Sequence, residues 1–265
     1  MNVDSWLKKA RTEIDSLDAE LILLFVLGER DRTFLLTHGE MAIGSRDVVL
    51  LDRFVELRKR GLPLAYISGE KEFYGRKFFV NQHVLIPRPE SETIIDITKT
   101  LRFPKRGGKV LDVGTGSGIL AITLKLEIPN LIVTASDISR AALFVASRNA
   151  ISLNARVDFV KSDLLSEFSK DEKFDLIVAN LPYVDVTWPW QSKELAWEPS
   201  QALYSSDDGM ELMKRFMAEA VGRTKYVILE CDPCQQEAMI DYSKNLGFEC
   251  IETRDYQLLF VFAKR

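Results

Sequence analysis

Asn180-Leu181-Pro182-Tyr183 closes the apolar run from Phe174 to Ala179. A short buried strand that stops this way presents an amide side chain, an exposed carbonyl and an aromatic ring together. Pro182 biases Leu181 toward extended backbone, which can aim the Leu181 carbonyl out of the sheet. A planar NH2 group has two hydrogens, and the Asn180 side-chain oxygen and the Leu181 backbone oxygen can accept one each. Tyr183 would cover the planar face of such a group. Positioning of this kind can supply several kcal/mol of a reaction barrier. The candidate catalytic residues are therefore Asn180, Leu181, Pro182 and Tyr183. Asn is also a common turn former at strand ends, so the motif takes its meaning from a second one upstream.

That second motif is Asp112-Val113-Gly114-Thr115-Gly116-Ser117-Gly118, where a strand turns into a helix. Glycines here let the backbone approach a ligand. The amides opening the following helix favour an anionic group, such as the carboxylate of methionine. Asp137 ends the next strand, where a ribose diol would lie. Asp163 ends the third, where it could meet an adenine amino group, with Leu164 able to pack on the ring. Nicotinamide and flavin sites share these features but use GxGxxG, whereas position 119 is Ile. The cofactor these features favour is S-adenosylmethionine, and its candidate ligands are Asp112, Gly114, Thr115, Gly116, Ser117, Gly118, Asp137, Asp163, Leu164 and Asn180. An electrophilic methyl group beside a holder for NH2 implies methyl transfer onto an amide or amino nitrogen.

At 265 residues the chain can bury a large core and a second, smaller one. A net charge of -4 argues against a broad nucleic-acid-binding surface. No apolar run reaches the roughly 18 residues of a membrane span. The first residues carry Asp4, Glu13 and Asp15 and lack a signal-peptide core, so a cytoplasmic protein is expected. Cys231-Asp232-Pro233-Cys234 has CxxC spacing. A structural zinc site wants four ligands, and both histidines, His38 and His83, lie far upstream. A strand-to-helix turn with reduced thiols is the expected reading, with no metal.

Before residue 62 the pattern is helical: Leu21 to Leu27 is stopped by Gly28, and apolar residues from Val48 to Leu57 define a wide helical face. Ser45 is the expected N-cap, and Gly61-Leu62-Pro63 the stop. Residues 64–84 cluster aromatic and β-branched residues around Gly69 and Gly75, which predicts a hairpin joining two domains. The prolines of Leu85-Ile86-Pro87-Arg88-Pro89 lead into a helix over about 90–101. From Lys109 strands and helices alternate, predicting a doubly wound, mainly parallel sheet. Only Arg254-Asp255-Tyr256 separates the last two strands, so they must pair antiparallel. The expected domains are 1–62, helical; 63–85, a hairpin linker; and 86–265, an α/β domain of the class I, Rossmann-like methyltransferase type.

The chain resembles the HemK/PrmC family of peptide chain release factor N5-glutamine methyltransferases nearly end to end. The resemblance rests on Asp31-Arg32-Thr33, Ile67 to Gly75, Leu85 to Glu92, the glycine turn, Asn180 to Tyr183, Glu198-Pro199 with Ala202-Leu203, Asp208-Gly209, and Arg254-Asp255-Tyr256. It implies methylation of the glutamine in the Gly-Gly-Gln motif of class 1 release factors, with the helical domain gripping that protein substrate. The family usually reads Asn-Pro-Pro-Tyr, and Leu181 departs from it toward the pattern of adenosine dimethyltransferases acting on ribosomal RNA. Leu181 still supplies a backbone carbonyl and is expected to loosen the loop slightly. N6-adenine methylation of RNA or DNA, and a cofactor-binding module without catalysis, are the alternatives.

Overall fold

The computed structural model describes residues 1–105, 107–189 and 192–263. They form two compact units. The first is Met1–Glu70 with a short later segment that ends at Trp197. It holds α1 (Val3–Ala10), α2 (Ser16–Leu27), α3 (Thr33–Thr37), α4 (Ser45–Lys59) and α5 (Leu64–Ser68) around Trp6, Ile22, Leu23 and Leu51. Local sequence sets their ends. Asp15 accepts the Leu17 amide at 2.8 Å to start α2, and Gly28 takes left-handed backbone to stop it.

Two expectations need correcting here. Ser45 is the first helical residue of α4 rather than its N-cap, a position held by Gly44 without a side-chain bond. The hairpin is shorter than 64–84, because Leu64–Ser68 is the helix α5. Pro63 provides extended backbone before it, Gly69 closes it at φ 70°, and buried Ile67 joins the first unit's core. That unit therefore runs past residue 62 to Glu70.

The hairpin itself is β1 (Glu70–Phe73) and β2 (Arg76–Phe79), turning at Tyr74-Gly75. In the second unit a short 3-10 turn, Pro89–Ser91, leads into α6 (Glu92–Thr100). There follow β3 (Lys109–Val113), α7 (Ile119–Glu127), β4 (Ile132–Asp137), α8 (Arg140–Ser152), β5 (Asp158–Lys161), β6 (Phe174–Ala179), α9 (Glu211–Ala220), β7 (Thr224–Glu230), α10 (Gln236–Asn245), β8 (Phe248–Arg254) and β9 (Gln257–Phe262). Seven strands form one sheet in the order β5-β4-β3-β6-β7-β9-β8. The first five are parallel; β9 runs antiparallel to both β7 and β8.

Apolar clusters cover both faces of this sheet, which is why its central strands read as continuous hydrophobic runs. Val113, Ala179, Leu229 and Leu258 face one cluster; Val110, Leu176, Val178 and Ile228 face the other. The chain leaves β3 outward through β4 and β5, then returns to β6 on the other side of β3. The crevice beyond the carboxyl ends of β3 and β6 is the switch point where ligands bind in open α/β sheets. Val113 pairs with Ala179, and Ala179 with Leu229. The next residues, Gly114, Asn180 and Glu230, are thereby brought to one end of the sheet.

Candidate functional site

Beneath the glycine turn lies Asp112, with no exposed surface. Its Oδ2 accepts from Thr115 Oγ1 at 2.6 Å and from the Ala121 amide at 3.1 Å, so it ties the turn to the first turn of α7. Its Oδ1 has no partner among the described residues. Burial pushes the carboxyl up to about 7. Asp137, at the end of β4, accepts the Gly116 amide at 2.9 Å and the Ser139 amide at 2.8 Å, and burial raises its pKa as well. Both acids hold backbone amides of the turn region in place.

A buried amide supports the turn from the side. Asn149 on α8 donates to the carbonyls of Ser117 (2.8 Å) and Phe79 (3.0 Å) and accepts the Phe79 amide at 2.8 Å. One side chain thus bolts β2 to the glycine turn. Asn149→Ala should weaken S-adenosylmethionine binding about tenfold and cost about 1–3 kcal/mol of stability, as each orphaned group loses its partner. Calorimetric titration and thermal unfolding of the purified variant measure the two effects.

Asn180 follows β6. Its Nδ2 donates to Ser91 Oγ at 2.9 Å and to Glu230 Oε1 at 2.8 Å. Both amide hydrogens are spent inside the protein, and among the described residues no donor is bonded to its Oδ1 or to the Leu181 carbonyl. The Leu181 side chain is buried in the apolar cluster with Leu164 and Val113. It packs the loop against that apolar cluster. The Tyr183 carbonyl accepts from Gln235 Nε2 at 2.8 Å. Burial raises the Tyr183 phenol above its ordinary pKa.

Glu230 ends β7 with 1% of its surface exposed. Burial first, then the charge of Glu90, pushes its carboxyl up to about 7 against the hydrogen bonds of Ser91, Gln257 and Asn180. A carboxyl whose folded pKa is raised favours the fold most below its unfolded pKa. That contribution of Glu230, like that of Asp112, fades as pH rises toward about 7.

Beside these groups lies a cavity of about 250 Å³. Gly114, Thr115, Gly116, Ser117, Asp137, Asp163, Leu164, Asn180, Leu181 and Pro182 line it; Asp112, Gly118 and Tyr183 do not. Asp163 is exposed and paired with Arg215 at 3.1 Å, both at the wall. Sequence reasoning left out Ser91, Glu230 and Gln257. Ser91 lay unassigned within the proline-rich block. Glu230 carried a signal, a carboxylate closing an apolar strand. Nothing near Gln257 in sequence marks it. The block itself is pinned by buried Glu198, which accepts from Arg88 at 2.6 Å and from the Ile86 amide at 2.9 Å.

The donor set suits S-adenosylmethionine. Gly116 takes φ 55°, and a Cβ there would meet no protein atom within 4 Å, leaving the space beside the backbone for a ligand. Acidic and apolar groups for a nucleoside, Asp137, Asp163 and Leu164, share the wall. The CxxC segment is a strand-to-helix turn: Asp232 accepts the Cys234 amide at 2.9 Å in a capping box, with Cys231 buried. Among the described residues no group of three or more His, Cys, Asp or Glu is gathered to hold a metal.

Residues 3–69 match the family model of the PrmC N-terminal domain, and 93–193 that of the methyltransferase small domain. A release factor glutamine methyltransferase of Koribacter versatilis is 42% identical over 79% of this chain and 75% of its own. The one from Neisseria gonorrhoeae is 36% identical over 95% of this chain and 92% of its own. Among solved structures, a methyltransferase from Pyrococcus furiosus shares the fold with a TM-score of 0.55 at 20% identity, covering 80% of this chain and 99% of that one.

Proposed function

The chain belongs to the family of release factor glutamine methyltransferases, and from that membership we propose how its site works and on what. It transfers a methyl group from S-adenosylmethionine to the side-chain amide nitrogen (N5) of a glutamine. The acceptor is the glutamine of the Gly-Gly-Gln motif in class 1 peptide chain release factors. The observation that carries this reading is the orientation of Asn180. With both its N–H groups bonded to Ser91 and Glu230, it offers only an oxygen to a substrate.

S-adenosylmethionine, when bound, supplies a methyl group on an electron-poor sulfonium. The backbone of Gly114 to Ser117 and the side chains of Asp137, Asp163 and Leu164 would hold it, the acids serving the ribose and the adenine amino group. A glutamine amide is a poor nucleophile because its nitrogen lone pair is delocalised into the carbonyl. Asn180 Oδ1 and the Leu181 carbonyl each accept one hydrogen of its NH2, which favours a geometry with more lone-pair character on nitrogen. Pro182 restrains Leu181, and Tyr183 holds the far end of the loop through its own carbonyl. The nitrogen that accepts the methyl group would shed one proton to water, while the carbon–sulfur bond breaks and its electron pair stays on sulfur as a neutral thioether. Glu230 does not border the cavity and is not the base.

The helical unit is assigned to gripping the release factor. No helix among the described residues is long and apolar enough to cross a membrane. We place the protein in the cytoplasm, where translation supplies its substrate. Incubation with S-adenosylmethionine and a purified release factor should add the mass of one methyl group to the peptide bearing Gly-Gly-Gln, read by tandem mass spectrometry. An unmodified glutamine, with methyl label entering RNA or DNA instead, would favour the adenine acceptor.

A further inference from the structure

Three sequence blocks far apart in the chain are linked to Asn180, two directly and the third through Glu230. Ser91 comes from the proline-rich block, Glu230 from the end of β7, and Gln257 from the first position of β9. The sheet register places them together, because Ala179 pairs with Leu229 and Glu230 pairs with Gln257. Their hydrogen bonds have a direction. Gln257 Nε2 donates to the Glu90 carbonyl at 3.0 Å and to Glu230 Oε2 at 3.2 Å. The other carboxylate oxygen, Oε1, accepts from Asn180 Nδ2 at 2.8 Å.

An amide oxygen and an amide nitrogen have nearly the same shape, so packing alone does not choose which one Asn180 shows the cavity. Turned over, Asn180 would present a donor to the donor NH2 of a substrate. The Ser91 hydroxyl can donate or accept and makes no choice. The Glu90 carbonyl can only accept, which fixes Gln257 with its nitrogen toward Glu230. Between two donors, only an ionised carboxylate accepts on both sides. We infer that Glu230 is the positioning residue that sets the polarity of the acceptor site, locking Asn180 with its oxygen toward the substrate. The inference rests on reading Asn180 as the holder of a substrate NH2 group.

An amide at position 230 sets donor against donor on one side unless Asn180 itself turns over and accepts from the new NH2. Turning Gln257 over gives no escape, because its oxygen would then face the Glu90 carbonyl. Glu230→Gln should lower kcat about 10²-fold through misorientation of Asn180, with the Kd for S-adenosylmethionine and the KM for release factor within about threefold of wild type. The decisive variant adds Asn180→Asp to Glu230→Gln. Each link then has one donor and one acceptor again, and an oxygen always faces the cavity. This double variant should recover about tenfold of the kcat lost by Glu230→Gln alone, whereas Asn180→Asp alone sets two carboxylates side by side and stays impaired. A structural contact predicts the opposite order, with the double variant no better than either single one.

Wild-type kcat in Glu230→Gln, or no recovery in the double variant, would overturn the inference. A wild-type protein that leaves release factor unmethylated would instead overturn the substrate reading. The polarity would then be decided by NMR: slow exchange of the Asn180 side-chain NH2 in wild type and fast exchange in Glu230→Gln supports the inference, and equal exchange rejects it.

Discussion

Asn180→Ala is expected to lower the turnover of release-factor methylation by roughly 10²–10³-fold, the cost of removing one preorganised polar contact to a reacting group. In free energy that is about 2.7–4 kcal/mol of barrier, at 1.36 kcal/mol per tenfold. The loss should fall mainly on kcat, because the contact to the substrate nitrogen strengthens as its lone pair localises. Binding of S-adenosylmethionine should change by less than about tenfold, since the turn after β3 and the acids Asp137 and Asp163 remain. Stability should also fall, by about 1–3 kcal/mol, because Glu230 Oε1 loses its donor while buried. Single-turnover kinetics with saturating cofactor separate the terms. Near-normal turnover with intact cofactor binding would remove Asn180 from the reaction.

Gly209→Ala should produce the largest structural damage of any single added methyl group near the site. Gly209 sits at φ 80°, and a Cβ there would lie 2.0 Å from the Tyr183 carbonyl oxygen and 2.5 Å from Gln235 Nε2. Neither neighbour can yield cheaply. Gln235 is fully enclosed and bridges the carbonyls of Tyr183 (2.8 Å) and Asp208 (2.7 Å), while its own Oε1 accepts the Asp232 amide. Left-handed strain and overlap together should cost roughly 2–5 kcal/mol, a fall in Tm of roughly 5–15 °C for a chain of this size. Relief by shifting Tyr183 would drag Pro182 and Leu181 with it, so kcat should drop as well. Gly222→Ala is the control. Gly222 has φ 67° but nothing within 4 Å of a built Cβ. It should show the strain alone, about 1 kcal/mol, and unchanged kcat. Equal melting temperatures for the two variants would show that the Tyr183 carbonyl moves aside freely.

Much of the cavity lining could be read locally because its parts are short and each obeys a local rule. The glycine turn, the acid closing β4 and the Asn-Leu-Pro-Tyr loop each sit at a strand end that hydrophobic patterning locates to within a residue or two. The antiparallel final pair followed from a turn too short for a crossover. The errors came where patterning was ambiguous. Residues 64–68 carry the aromatic and β-branched residues of a strand, yet Pro63 and Gly69 bracket them as one helical segment. The burial of Leu181 is likewise invisible without its neighbours.

By itself the sequence determined the class of chemistry, methyl transfer, and the sheet whose strand ends carry the glycine turn and the Asn-Leu-Pro-Tyr loop, since these depend on residues adjacent in the chain. Only the tertiary structure decided which atom of Asn180 is bonded inside the protein and which is left free of those bonds. That choice depends on Ser91, Glu230 and Gln257, which lie 89, 50 and 77 positions away by their numbering. Strand order is what brings them together. β9 inserts between β7 and β8, and parallel pairing of β6 with β7 sets Asn180 beside Glu230. A hydrogen-bond direction is a property of a closed network, and no segment of this chain contains the network.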